Sequence, residues 1–266
     1  MKTTIKLTLA SIAIFANVAS AASIRYDGGV FDGGPTANNY WSTAGNWLFD
    51  NVPGVNDDAH INITGSGIAV LNSDAGTIKN LRVGVDESGI LTATTGGVLT
   101  TSAGDFSGLA IGGGNNMGTL NLSGATLTFN EAFFVALFDG STGILNITSG
   151  SMRVNDLFVH NLYNTTASST TVLSGGLLDV NSMILNSGVF DITGGTLVLR
   201  NGNQTSQVAA WATSGRMTAY GQNTGLSAVY DGGNNWTTIS AVPEPSAAVP
   251  VLGCLAGFAL LRRRRA

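Results

Sequence analysis

Residues 118–129 read Gly-Thr-Leu-Asn-Leu-Ser-Gly-Ala-Thr-Leu-Thr-Phe, and residues 143–154 repeat the plan as Gly-Ile-Leu-Asn-Ile-Thr-Ser-Gly-Ser-Met-Arg-Val. In both, apolar residues stand two, four, nine and eleven places after the first glycine: Leu120, Leu122, Leu127 and Phe129, then Leu145, Ile147, Met152 and Val154. Alternation at period two puts such side chains on one face of a strand. The glycine between the two runs permits the positive φ of a tight corner. Each unit therefore reads as strand, corner, strand.

The same template can be laid elsewhere. From Ala59 it selects Ile61, Ile63, Ile68 and Val70, and from Gly89 it selects Leu91, Ala93, Val98 and Thr100. From Ser169 it selects Thr171, Leu173, Leu178 and Val180, and from Gly188 it selects Phe190, Ile192, Leu197 and Leu199. Thr100 and Thr171 are the polar exceptions. A third short apolar run follows in each unit, around Leu81, Leu109, Phe134, Phe158 and Met183, at intervals of 28, 25, 24 and 25 residues. Three strands and three corners in about 25 residues make one coil of a solenoid, and no coil buries its apolar face alone. The expected fold class is all-β: a single-stranded right-handed parallel β-helix with three-strand coils and a cap at each end. The step of 19 residues from Ser169 to Gly188 predicts a coil cut short. A β-sandwich of hairpins competes, but its turns carry no fixed in-register repeat. A calcium-binding nonapeptide roll also competes, but Gly112-Gly113-Gly114-Asn115 does not continue its motif.

Residues 59–200 are assigned to the repeats, 23–58 to an N-terminal cap and 201–241 to a C-terminal cap. Open solenoid ends need such covers. Tyr40, Trp41 and Trp47 are read as the cover of the first coil. The competing reading is carbohydrate stacking on exposed rings. The step from Trp41-Ser42 through Asn46-Trp47 and Pro53 into Asp57-Asp58 is similar to the entry of many exported β-helix proteins. The repeats themselves resemble, in pattern, those of bacterial autotransporter-type and surface-associated proteins.

Composition narrows the function. Charged residues are 11% of the chain and glycine numbers 36, which fits a turn-rich β body. Lys2, Lys6 and four C-terminal arginines are half of the twelve basic residues. The remaining six face sixteen acids, so the body carries a net charge near −10. Such a surface repels nucleic acid, which is excluded as a partner. The single cysteine, Cys254, lies in the apolar tail, so the body has no disulfide framework.

No converging catalytic set is visible, and the reading is that the chain is not an enzyme and needs no cofactor or metal. His60 and His160 lie in strands of distant coils and are expected to face solvent. The acid pairs Asp57/Asp58 and Asp86/Glu87 could offer oxygens to calcium, but equally suit solvated corners. Gly112-Gly113-Gly114 lacks the lysine and helix of a phosphate loop. Asn121, Asn146 and Asp191 share the outward third place of their units, where a short polar ladder is expected.

The two termini carry the clearest address. Lys2 and Lys6, the apolar run 7–18 and Ala19-Ser20-Ala21 form a secretory signal peptide over 1–22. At the other end stand Val242-Pro243-Glu244-Pro245-Ser246, then fifteen largely apolar residues over 247–261, then Arg262, Arg263, Arg264 and Arg265. The apolar run is shorter than the ~20 residues a spanning helix needs, and Pro250 and two glycines weaken it. The arginines should stay on the cytoplasmic side as a stop-transfer signal.

This tail, residues 242–266, resembles the PEP-CTERM sorting signal of Gram-negative bacteria, in which a Pro-Glu-Pro triplet, a short hydrophobic helix and a basic end occur in that order. The resemblance implies processing near Pro243, Glu244 and Pro245 by an exosortase, a membrane-embedded cysteine transpeptidase. It implies passage through the inner membrane and delivery to the cell envelope or extracellular matrix, with exopolysaccharide or biofilm as the setting.

Overall fold

The structure, a computed structural model, describes residues 22–28, 38–62, 68–102, 104–110, 115–163 and 166–243. The expected signal peptide and sorting tail lie outside these, apart from Ala22, Val242 and Pro243.

The chain is mostly β and winds into a β-solenoid of about six turns. Three parallel sheets run along it. Sheet A stacks Ala69–Leu71, Gly89–Thr94, residues 117–122, residues 142–147, Ser168–Leu173, Val189–Ile192 and Met217–Ala219. Sheet B stacks Asp74–Ile78, Val98–Thr101, residues 126–129, 151–154 and 177–180, and Thr196–Leu199. Sheet C stacks Ser23–Tyr26, Asp58–Ile61, Asn80–Val83, Ser107–Leu109, Phe133–Val135, and residues 157–160 and 182–185.

The columns are in register because each inward side chain rests on its equivalent one coil away. Leu91, Leu120, Leu145, Thr171 and Phe190 form one column, and Ala93, Leu122, Ile147, Leu173 and Ile192 the next, all buried. Leu127, Met152, Leu178 and Leu197 are stacked and buried in sheet B. The A-to-B corners turn on Gly96, Gly124, Gly150, Gly176 and Gly195, with φ between 68° and 98°. Those angles suit glycine because it has no Cβ.

The reference glycines have a second reason to be glycine. Gly89, Gly118, Gly143 and Gly188 enter sheet A where the backbone of the neighbouring coil or corner passes in contact. A Cβ on Gly118 would collide with the Val83 carbonyl and the Ala110 amide, and one on Gly143 would lie 2.5 Å from the Ala136 nitrogen.

Four expectations need correcting. The unit begun at Ala59 was framed wrongly: Asp58–Ile61 pairs with Asn80–Val83 in sheet C, and the first A strand is Ala69–Leu71. It fits the template only because a sheet C strand alternates too. The phase is also wrong twice. Ile68 and Val98 point out, 43% and 39% exposed, whereas Ala69, Leu71, Leu99 and Thr101 are inside. At the second site Thr94 faces both Ser123 and Gly124, so the corner holds one extra residue.

The coil between Ser169 and Gly188 is not cut short. It has all three strands, and only its last corner is reduced, to Asn186 and Ser187. Finally, the sheet C column is Val83, Leu109, Val135, His160 and Leu185. Its true intervals are 26, 26, 25 and 25 residues, more even than those read from the sequence.

The ends are covered. Trp41 and Trp47 are 1% and 0% exposed and meet edge to face with centroids 4.7 Å apart. The Trp47 indole donates to the Trp41 carbonyl at 2.7 Å, and Tyr26 packs on Trp47. At the other end a helix, Thr205–Thr213, buries Val208 and Trp211 over the last coil. A hairpin, Leu226–Asp231 and Trp236–Ala241, then joins Thr196–Leu199 antiparallel, extending sheet B.

Candidate functional site

Catalysis would need polar groups converging on an open surface, and the polar groups of this body turn inward. His160, expected at the surface, is fully buried. It lies two residues after Phe158 on one strand, so period two carries it inward with that ring. Its Nε2 lies 2.8 Å from the Thr171 hydroxyl, which explains the odd polar slot at Thr171. Nδ1 has no partner, and Phe158 and Phe190 pack around the ring. Burial pushes its pKa down to about 3, so the ring is neutral.

Glu131, also buried, accepts from the hydroxyls of Ser107 and Thr101. Burial raises its pKa, with those two hydrogen bonds opposing. Both groups are enclosed, with no approach for a substrate.

Among the described residues no group of three or more His, Cys, Asp or Glu could hold a metal ion. The acid pairs weighed for calcium are largely engaged within the protein. Asp57 accepts from the backbone of Ala22 and Gly54. Asp58 accepts from Asn80 and faces Lys79 and Arg82, and Glu87 pairs with Arg25 at 2.8 Å. His60 touches Ser23, and burial followed by the Arg82 charge lowers its pKa.

The outer faces carry ladders rather than clefts. The Asn146 amide donates to Asn121 at 2.9 Å, continuing to Thr92 at 3.5 Å. Val172 interrupts this column, after which Asp191 accepts from Thr218 and from the Gly221 backbone. On sheet B, Asp179 is gripped from both sides, by Arg153 at 2.7 Å and by Arg200 through two 2.6 Å bonds. The Arg200 guanidinium also lies 4.6 Å over Trp236, tying the hairpin to the last coil.

Trp41 and Trp47 offer no face to a sugar because both are enclosed in the cap. Tyr40, at 43% exposure, is the one of the three that meets solvent. The sequence reading missed a different aromatic pair. Phe138 and Tyr163, 40% and 60% exposed, stack with centroids 6.1 Å apart on the C-to-A corners of consecutive coils. Asp139 braces those corners by accepting from Thr166. The signal was the equal spacing of the two rings from the sheet C columns at Val135 and His160.

The C-terminal exit is plain. Val242 donates to the Gly225 carbonyl at 2.7 Å, and Pro243 is exposed beside a hollow of about 280 Å³ lined by Tyr220, Gln222, Thr224 and Gly225. Glu244, Pro245 and Arg262 to Arg265 lie outside the described residues, as does the apolar run 247–261. Among the described residues no helix is long and apolar enough to cross a membrane. Comparison with protein-family models, with curated proteins and with solved structures found no match for this chain.

Proposed function

We propose that this chain is an exported, non-enzymatic β-solenoid with a structural or adhesive role in the cell envelope or extracellular matrix, sorted by an exosortase through its PEP-CTERM-like tail. One observation carries the reading: the hydrogen-bonded body stops at Val242, so the Pro-Glu-Pro triplet begins where the fold ends, with Pro243 already exposed. Prolines at 243 and 245 hold the backbone extended and deny it helix, which suits a segment that a transpeptidase must grip. The inward commitment of His160 and Glu131 supports a scaffold over a catalyst. Mass spectrometry of the protein from its native host tests the reading. The expected mature chain lacks Arg262 to Arg265, and replacing Pro243, Glu244 and Pro245 with alanine leaves the full-length chain in the inner membrane. A wild-type C-terminus at Ala266 would overturn it.

A second reading, carbohydrate binding, rests on the exposed Phe138–Tyr163 pair rather than on the tryptophans. Ring faces favour the C–H surfaces of sugars. Retention on immobilised host exopolysaccharide that is lost in a Phe138→Ala, Tyr163→Ala variant would favour this reading over a bare scaffold.

A further inference from the structure

Each of the three sheets ends near the C-terminal cap, and two of the ends are blunted. Sheet C finishes at residues 182–185, where the Arg216 guanidinium donates to the Leu185 carbonyl at 3.0 Å. Sheet A finishes at Met217–Ala219, where Ala219 bridges back to Gln222. Sheet B differs. It is carried past the last coil by the hairpin, and the outermost strand, Leu226–Asp231, pairs only with Trp236–Ala241 among the described strands. An open strand edge presents unpaired amides and carbonyls that invite another strand, and proteins usually block it with lysine, proline or a bulge. Leu226-Ser227-Ala228-Val229-Tyr230-Asp231 has none of these, and its register is unbroken.

We propose that this edge is a homodimer interface, with a second copy of the chain docking its own Leu226–Asp231 antiparallel on it. The hydrogen-bond phase fixes the register. Val242 donates to Gly225, so residues 225, 227, 229 and 231 spend their backbone groups on the inner partner strand. The alternation of an antiparallel ladder then turns the N–H and C=O groups of Leu226, Ala228 and Tyr230 to the open edge. A two-fold axis at Ala228 places Ala228 opposite its own copy and Leu226 opposite the partner copy's Tyr230. All three outward residues of each strand then fall in hydrogen-bonded pairs.

The single charge, Asp231, meets Gly225 of the second copy rather than its own image, so no like charges oppose. Val229, 62% exposed, would gain cover beside the second copy's Ser227. The chain's own tail is a poor occupant, because two of its first three residues after Val242 are prolines and cannot donate to a ladder. The dimer is tail to tail, a closed two-fold contact with no open end left on sheet B.

Cysteine cross-linking in the full-length chain with Cys254→Ser tests the register. Ala228→Cys should give a dimer on mild oxidation, because opposed residues of such a pair lie within disulfide reach, whereas Val229→Cys should not, its own copy being displaced by two residues along the strand. Ala228→Pro removes an edge donor but no bond to the inner strand. It should convert a dimer, seen by light scattering, to a monomer of unchanged circular dichroism. A monomeric wild-type chain, equal cross-linking at both positions, or a chain that dimerises only after truncation at Pro243 would each overturn the proposal, the last by showing that the tail occupies the edge.

Discussion

The His160–Thr171 pair gives a direct test of the solenoid interior. His160 is fully buried, its ring held neutral with a pKa pushed down to about 3 from an ordinary 6.5. Below pH 6.5 the unfolded chain takes up a proton on this residue that the folded chain refuses. Stability is therefore lost as pH falls from about 6.5 towards 3, at about 1.4 kcal/mol per pH unit. Between pH 6.5 and 4.5 the loss comes to about 2.7 kcal/mol, a sizeable part of the ~5–15 kcal/mol that holds a typical domain. The perturbation is His160→Leu combined with Thr171→Val, which removes both polar partners together. At pH 7.5 the double variant should be nearly as stable as wild type, whereas Thr171→Val alone, leaving both ring nitrogens unpaired, should cost about 1–3 kcal/mol. Urea unfolding followed by tryptophan fluorescence at pH 7.5, 6.5, 5.5 and 4.5 measures all three proteins. His60 and Glu131 titrate in each and cancel in the differences. Equal acid slopes for wild type and the double variant would refute the buried neutral histidine, and with it the inward phase of residues 157–160.

Gly118→Ala should destabilise by several kcal/mol, seen as a lower urea midpoint, because its Cβ meets backbone carbonyl and amide atoms that cannot swing aside. Gly76→Ala is the control for space: its φ of 69° is strained but nothing lies within 4 Å, so the loss should be about 1 kcal/mol. Asp179→Asn removes the anion between Arg153 and Arg200 and should lower stability by about 1–3 kcal/mol in thermal unfolding, with the hairpin amides losing exchange protection first. Glu131, with its pKa raised by burial, contributes most below its unfolded value near 4.5 and loses that contribution as pH rises through its folded value. Glu131→Gln should therefore gain on wild type between pH 4.5 and 7.5, by about 2–4 °C in Tm for each kcal/mol; a gap that does not change with pH would contradict this.

The sheet A and sheet B columns were legible because, in four coils, the A-to-B corner spans a constant five residues between inward positions, Leu122 to Leu127 being one case. Where the corner gained a residue, between Ala93 and Leu99, a fixed offset chose the wrong phase, and Val98-Leu99-Thr100-Thr101 has one aliphatic in either phase to betray it. Sheet C was harder because Phe133-Phe134-Val135 and Leu157-Phe158-Val159 are apolar on both faces. The outward Phe134 and Val159 form their own cluster with Leu137. The residues that enter the C-to-A corner in left-handed conformation, Gly84, Ala110, Ala136 and Asn161, share a place in the coil but not a residue type, so no motif marks it. The helix at Thr205–Thr213 escaped because Thr-Ser-Gln-Val-Ala-Ala-Trp-Ala-Thr has only Val208 and Trp211 as large apolar residues, too few to show a helical period. As for the candidate site, the tryptophans were rightly read as cap residues, while Phe138 and Tyr163 lie in corners that periodicity does not reach.

The hydrogen bonds between coils point along the axis on which the coils stack. A pull along that axis therefore loads them end on and one coil at a time, rather than in parallel as a shear across a whole sheet would. Each freed coil of about 25 residues pays out roughly 85 Å of chain in place of the ~4.8 Å it occupied. The nearly constant repeat makes successive releases almost equal in length. A short rod of about six turns is thus also a folded reserve of slack, able to yield in even steps under tension before any covalent bond is strained.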